Sequence, residues 1–581
     1  MNIPTYAIDT RGPHGIGLDG KQATSFRTEP LTLMNHVGKR ISAYIDVPSG
    51  NADYAGMILV APAYGETKEN SLLISAHFVA NGYCGVRFDW TDHVGESEGD
   101  VFCSTLTRMR DDLNVLLEYI QRVYGGYKVG LVATSLAARV ALKIAADNTA
   151  LDFLICFAPV VDLQGTLTMV YREDLVASFR KGKRYGTLNI LGLSIDADGF
   201  LSDCIDQNFA DICSTQCDAR RIKTPVFFVL GQRDSWVRMT DAQTVLAAIN
   251  SPTKKSCALP KMLHRLHENP IVARDALQQA VHFVLNATTT GEHEIAEVNS
   301  PDTAEVEKRA NHEKEHLRDL YVYSKIEERH FWKDYLSNFQ YIINVHDFYN
   351  LLEFIYTQLG GASPGQKILD AGCGIGNYGL FLLTKQLYRL RQDLQYLRMP
   401  RIRYFGIDFV ISGLSEATLR LTQLSEEFKK KNWSGTDINL VESNFVVGDL
   451  DLQIPFRDNF FDQVCCNLVI SYLEKPKLAL KEMWRVLPPG GKMVLTSLKP
   501  GADLSEIYRN FISVAETPQE LYEGRKLLSN AGMIKIKEVR GLYHFYTEKE
   551  LKEAAREAGF FRARTFRSFG DQANAVVCSK I

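Results

Sequence analysis

The stretch "YKVGLVATSLAARVALKIA", Tyr127 to Ala145, reads as a buried strand, a sharp turn carrying Ser135, and a helix. That succession is what a nucleophile elbow requires: the strand stops, the chain turns abruptly, and a strained serine stands exposed above the sheet. Small neighbours are needed because strand and helix approach closely at the turn. Here Ala133 and Ala137 stand where the G-x-S-x-G pattern has glycine. Alanine is the next smallest residue, so the turn survives with some crowding. Taken alone, the stretch fits equally well a serine that merely caps a helix N-terminus.

The surrounding chain shifts that balance. From Arg27 to about Leu285 short apolar runs alternate with helical stretches: "GMILVAPAY", "CGVRFDW", "KVGLVATS", "LDFLICFAPV" and "TPVFFVLGQRD". Strands separated by helices predict a mainly parallel sheet covered on both faces, an α/β fold. Asp234 follows the buried run "VFFVL", and His264 and His267 follow a further short strand. The order Ser135, Asp234, His264 is the serine–acid–histidine order of α/β-hydrolases, distinct from those of the other large serine hydrolase classes. The small, turn-prone end of "ILVAPAYGE" offers an oxyanion hole, with the backbone N–H groups of Tyr64 and Leu136 as the expected donors.

On "VATSLAARVA", "FDWTDHVGESEG", "FLSDCIDQNF", "GQRDSWV" and "HRLHENP", the first half resembles the LuxD family. These are acyl transferases, or myristoyl-carrier-protein thioesterases, of bacterial bioluminescence. The resemblance runs from about Arg27 to Leu285 and implies an acyl-serine intermediate: Ser135 as nucleophile, His264 as general base and Asp234 as its orienting acid. It also implies an acyl carrier protein or acyl-CoA thioester as partner, and a lid formed by the insert at about 161–221. Relatives also lack the elbow glycines. His267 is a departure, since relatives tend to carry a small residue there, and it competes for the role of His264. The basic run Arg180, Lys181, Lys183 and Arg184 lies in the insert. It reads either as a site for an acidic carrier or as a solvated face, and the second reading is preferred.

Pattern and composition change together near residue 290. "NATTTGEHEIAEVNSPDTAEVEKRANHEKEH" is polar and charged, a linker that turns helical after Pro301. A second alternation of strands follows, and "KILDAGCGIGNYG" opens it: an apolar strand ending in Asp370, then Gly372, Gly374 and Gly376 at alternate positions, then a helix. Glycines there let the backbone turn tightly and let a ligand approach at the switch point of an open sheet. A dinucleotide fingerprint wants glycine at position 377, where the chain has Asn377, and an acid about 20 residues on, nearer than Asp408. NAD is therefore disfavoured.

The pattern is instead similar to class I S-adenosylmethionine-dependent methyltransferases, a Rossmann-like fold, and continues to the end of the chain. The resemblance implies that Asp408 binds the ribose hydroxyls, Asp449 the adenine amino group, Leu450 the adenine ring, and Asn467 the wall beneath the methionine moiety. The glycine loop and Asp370 complete the expected S-adenosyl-L-methionine site. Within "YVYSKIEERHFWKDYLSNFQYI", His330, Tyr335 and Tyr341 are candidates for the acceptor side, as is His544. An ordinary amphipathic helix explains the first three equally well.

The expected organisation is a tail over 1–26, an α/β-hydrolase domain over 27–286, a linker over 287–316 and a methyltransferase domain over 317–581. A length of 581 residues agrees with more than one core. A net charge of −3 gives no electrostatic case for nucleic acid or an anionic membrane surface. The N-terminus lacks the basic-then-apolar pattern of a secretory signal, and no apolar run is long enough to span a bilayer. Eleven scattered cysteines fit free thiols in a reducing compartment, so the expected location is cytoplasmic. The cluster Cys204, Cys213 and Cys217 has no histidine nearby and is not read as a metal site.

Two joined activities suggest one pathway: release of an acyl or polyketide-like chain from a carrier, and methylation of a small molecule. The freed carboxylate is the most economical acceptor, because it is nucleophilic at neutral pH without a base. Acyl transfer to an alcohol or amine, methylation elsewhere on the chain, and one half serving only as a binding module are the competing readings.

Overall fold

The computed structural model describes residues 26–49, 54–147, 150–190, 192–234, 236–266, 269–288, 297–320, 324–432, 440–502, 504–513 and 515–581. The expected tail falls almost wholly outside them, as does His267. Two compact units divide the chain: one runs to Leu320 and includes Val539–Gly541, and the other holds Tyr321–Glu538 and Leu542–Ile581.

The first unit is built on ten strands: β1 (Phe26–Met34), β2 (Arg40–Pro48), β3 (Gly56–Ala61), β4 (Tyr83–Phe88), β5 (Val129–Thr134), β6 (Phe153–Phe157), β7 (Thr187–Ile190), β8 (Leu193–Asp196), β9 (Val226–Gly231) and β10 (Lys254–Leu259). Eight form one sheet in the order β1-β2-β4-β3-β5-β6-β9-β10. β1, β2 and β4 pair antiparallel, and every pair from β4 to β10 is parallel. Strands β3, β4, β5, β6 and β9 are buried at every position, which is why they read as unbroken apolar runs. Ile58, Val60, Val132, Ile155 and Val229 pack on one face against the helix Pro270–Thr288. Between β6 and β9 the chain inserts four helices and the hairpin β7–β8, the region expected as a lid.

The expected linker over 287–316 and the domain start at 317 differ from this division. Thr303–Leu320 is a helix that packs within the first unit. Val306 joins Phe26, Leu72, Ala76 and Val79 in a small core, and the Arg309 guanidinium lies over the Phe26 ring at 4.1 Å. Arg87, fully buried, donates to both oxygens of Glu313 at 2.9 and 3.0 Å and to Asp46 at 2.6 Å. A polar helix is held here by a buried charge pair and an apolar stripe only a few residues wide.

The second unit contains β11 (Lys367–Ala371), β12 (Ile402–Asp408), β13 (Val441–Val447), β14 (Gln463–Cys466), β15 (Lys492–Leu498), β16 (Phe561–Ser568) and β17 (Ala573–Ser579). Their order is β13-β12-β11-β14-β15-β17-β16. The first five are parallel, and β17 pairs antiparallel with both its neighbours. β11 has β12 on one side and β14 on the other, so the chain reverses its direction of travel across the sheet at β11. Its C-terminal end is the switch point, where ligands of open α/β sheets bind. No helix among the described residues is long and apolar enough to cross a membrane.

Candidate active sites

In the first unit β5 ends at Thr134 and a helix begins at Leu136, leaving Ser135 alone in the turn with φ +57°. This left-handed conformation is costly for a serine and is fixed by its neighbours. The Ser135 N–H donates to Phe157 O at 2.9 Å, and its carbonyl accepts from Ala138 and Val160 N–H at 3.1 Å each. Ala133 and Ala137 are fully buried beside it, so the turn leaves little room for larger side chains.

The Ser135 Oγ turns to His264, 2.7 Å from its Nε2. His264 Nδ1 lies 2.9 Å from Asp234 Oδ2. Asp234 follows β9 and is nearly buried, and its Oδ1 accepts from the N–H of Trp236 at 2.8 Å and of Val237 at 3.1 Å. With Asp234 an acceptor, Nδ1 carries the imidazole hydrogen and Nε2 accepts from the serine hydroxyl. The three residues therefore form a continuous relay.

Tyr64 sits in the loop after β3, which is pinned by the Trp90 indole N–H donating to Pro62 O at 3.0 Å. Among the described residues, neither the Tyr64 nor the Leu136 backbone N–H has an acceptor. His93 packs edge-on to Tyr64 at 4.8 Å, and burial drives its pKa down to about 3, so it is neutral. Trp90 and His93 both lie within "FDWTDHVGESEG", and tertiary packing is what brings them against the Tyr64 loop. In the insert, Lys183 pairs with Glu173 at 2.6 Å and Arg184 stacks on Phe179 at 4.3 Å.

In the second unit the loop after β11 carries three left-handed glycines: Gly372, Gly374 and Gly376 at φ +81°, +52° and +72°. A Cβ on Gly372 would meet Val469 Cγ2 at 2.4 Å, and one on Gly376 would meet Ala417 Cβ at 2.8 Å. Only glycine satisfies both the dihedral and the space. Asp408, ending β12, accepts from Gly374 N–H at 2.8 Å and Val410 N–H at 2.9 Å, so the acid and the glycine loop hold each other. Asp370 is buried beneath the loop and accepts from the Tyr404 hydroxyl at 2.7 Å, and burial pushes its pKa up to about 6.

Asp370, Gly372, Gly374 and Asp408 line a cavity of about 1240 Å³, open mouth included, together with Asp449, Leu450 and Asn467, whereas Gly376 does not reach its wall. Asn467 Oδ1 accepts from Thr496 Oγ1 at 2.9 Å. Asp449 is paired with Lys325 at 2.6 Å, and Lys325 opens a helix, Lys325–Ser337, whose Glu328, Trp332 and Tyr335 also line the cavity. Of the four acceptor-side candidates only Tyr335 reaches it; His330 is exposed, and neither Tyr341 nor His544 lines the wall. Lys325, Glu328 and Trp332 were not singled out from sequence. Their helical spacing in an aromatic-rich segment was the available signal, and it resembles any amphipathic helix.

Residues 35–306 match the family described as acyl transferase, and residues 369–495 match a methyltransferase domain. The acyl transferase of Photobacterium phosphoreum is 28% identical over 221 residues, covering 38% of this chain and 72% of the relative. That of Aliivibrio fischeri is 25% identical over 266 residues, covering 46% and 86%. Among solved structures, an esterase of Pyrococcus furiosus aligns at 14% identity with a TM-score of 0.35, covering 48% of this chain and 97% of its own. Est1E of Butyrivibrio proteoclasticus with ferulic acid aligns at 15% and 0.36, covering 43% and 97%. The chain is an enzyme that joins an acyl transferase domain to a methyltransferase domain.

Proposed function

We propose that the first unit cleaves an acyl chain from a carrier thioester through an acyl-Ser135 intermediate. The observation that carries this reading is Ser135 held at φ +57° with its Oγ 2.7 Å from His264 Nε2. As Ser135 Oγ attacks the thioester carbonyl, its proton passes to His264 Nε2, and Asp234 stabilises the resulting imidazolium through Nδ1. The backbone N–H groups of Leu136 and Tyr64 receive the developing oxyanion, one such donor being worth ~10²–10³ in rate. The carbon–sulfur bond then breaks, and the leaving thiolate takes the proton back from His264. Water, or an alcohol or amine, enters by the reverse path. The substrate is an acyl carrier protein or acyl-CoA thioester, in keeping with the acyl transferases to which residues 35–306 are similar.

The second unit uses S-adenosyl-L-methionine. The residues present fit it: a glycine loop at the strand end too tight for side chains, Asp408 at a strand end with lone pairs left for a ribose diol, and Asp449, Leu450 and Asn467 in the same cavity. When bound, this cofactor supplies an electrophilic sulfonium methyl. The chain orients it and excludes water. Asp408 would hold the ribose, Asp449 the adenine amino group in competition with Lys325, and Asn467 the methionine end.

Ser135→Ala tests the first half. Thioester cleavage should fall by ~10⁴-fold or more, while S-adenosylhomocysteine binding measured by calorimetry stays unchanged. Retained cleavage would move the nucleophile elsewhere.

A further inference from the structure

Part of the cavity wall is aromatic. Trp332 lies 4.7 Å from Tyr472 and 5.2 Å from Tyr335, centroid to centroid, and the Tyr335 and Tyr508 hydroxyls lie 3.4 Å apart. All four line the cavity. The charges beside them are lopsided. Among the described lining residues there are five carboxylates, on Glu328, Asp370, Asp408, Asp449 and Asp451, and one cation, Lys325. That cation is engaged by Asp449 at 2.6 Å and Asp451 at 3.6 Å. Glu328 is itself satisfied by Lys537 and by the Tyr543 hydroxyl at 2.7 Å. No described lining residue is a histidine, and the carboxylates are already hydrogen-bonded or ion-paired, so none stands ready as a general base.

A free carboxylate entering this cavity would add a further negative charge beside these five, with no unengaged cationic side chain among the described lining residues to receive it. Transfer of a sulfonium methyl to it would also destroy the positive charge that an acidic, aromatic site favours. An amine reverses both terms. It arrives at neutral pH mainly as its ammonium and sheds one proton to solvent; the freed lone pair then attacks, and the positive charge passes from sulfur to nitrogen, where aromatic faces stabilise an ammonium. The electron pair of the breaking C–S bond stays on sulfur, and the ammonium proton is lost afterwards to solvent.

We infer that the methyl acceptor is an amine nitrogen on an apolar body, held against Trp332, Tyr335 and Tyr472, and not the carboxylate released by the first unit. The inference rests on the second unit binding S-adenosylmethionine.

The test is calorimetric titration of the full-length protein with benzyltrimethylammonium and with phenylacetate, the same ring carrying opposite charges. The ammonium should bind more tightly by about tenfold or more, the scale of a desolvated cation–π contact. Trp332→Leu should erase that preference and Trp332→Phe should keep most of it, with S-adenosylhomocysteine binding unchanged in both. Supplied with methyl-deuterated S-adenosylmethionine, the enzyme should label benzylamine faster than it esterifies phenylacetic acid. Equal or tighter phenylacetate binding, or faster ester formation, overturns the inference. So does a failure of both ligands to bind while S-adenosylhomocysteine still binds, which would leave the cofactor site standing. Loss of S-adenosylhomocysteine binding by the wild-type protein would instead overturn the cofactor reading on which the inference rests.

Discussion

Asp370 shows how a single buried acid couples stability to binding. Among the described residues it accepts from the Tyr404 hydroxyl at 2.7 Å and, more weakly, from the Cys465 thiol at 3.6 Å, and burial raises its pKa from an ordinary carboxylate value to about 6. The folded state therefore holds this proton more tightly than the unfolded chain does. Stability contributed by the protonated form is complete below about pH 4 and is lost as pH rises towards 6, leaving a cost on the order of 2–3 kcal/mol at neutral pH. Asp370→Asn should remove that cost. Its stability relative to wild type should grow from pH 4 to pH 7, read from the unfolding transition that S-adenosylhomocysteine shifts. A pH-independent difference would show that the carboxyl is not the titrating group. The other residue worth isolating is Asp234, whose Oδ1 is fixed by two backbone N–H groups while Oδ2 faces His264. Asp234→Asn keeps the shape but favours the wrong imidazole tautomer, so thioester turnover should drop by ~10⁴-fold with little change in stability. Steady-state kinetics beside a thermal melt separate the two effects, and a parallel loss of stability would sink the assignment.

At the level of elements, the helix Thr303–Leu320 is the part of the fold least visible beforehand. Its sequence, rich in Glu, Lys, Arg and His, has the composition of a solvated linker. What fixes it is Glu313 against Arg87, 226 positions away, and a narrow apolar stripe around Val306 that faces the helix Leu72–Val79 and Phe26. No local pattern announces a partner at that separation. The elbow and the glycine loop are different. Each is a short segment whose residue types answer a backbone requirement at that very place: small residues around a left-handed Ser135, and glycines where a Cβ would strike Val469 or Ala417. Such requirements are written locally and were legible. Trp332 and Lys325 were not, because a helix becomes a cavity wall only through tertiary packing. Glu313→Ala should leave half of the Arg87 guanidinium buried without its partner, with Asp46 retaining the rest. The expected loss is about 3 kcal/mol, the low end for a broken buried pair, measured by denaturant unfolding of the first unit. A change under about 0.5 kcal/mol, the range of ordinary surface substitutions, would return this helix to the status of a linker.

Across the whole molecule, each unit has its own sheet and its own core. One is centred on residues such as Val132, Ile155 and Val229, the other on Leu369, Val464 and Leu495. The Ser135–His264–Asp234 relay is drawn from loops of the first sheet and the proposed cofactor cavity from the switch point of the second, so among the described residues each set lies within one unit. Chemistry confined in this way should fail independently. Asp408 is the sharpest probe, because its carboxylate ties the glycine loop through Gly374 N–H and is the expected ligand of the ribose. Asp408→Ala removes charge-assisted hydrogen bonds worth about 1.5–3 kcal/mol each, so S-adenosylhomocysteine affinity should fall by ~10–100-fold or more. Thioester cleavage by the same variant should match wild type. Calorimetry with the cofactor product and a thiol-release assay, run on one preparation, report the two sites side by side. Concurrent loss of both, with the melting transition of the first unit intact, would mean that occupancy of the methyl-donor site governs acyl release, and the enzyme would have to be treated as a coupled machine.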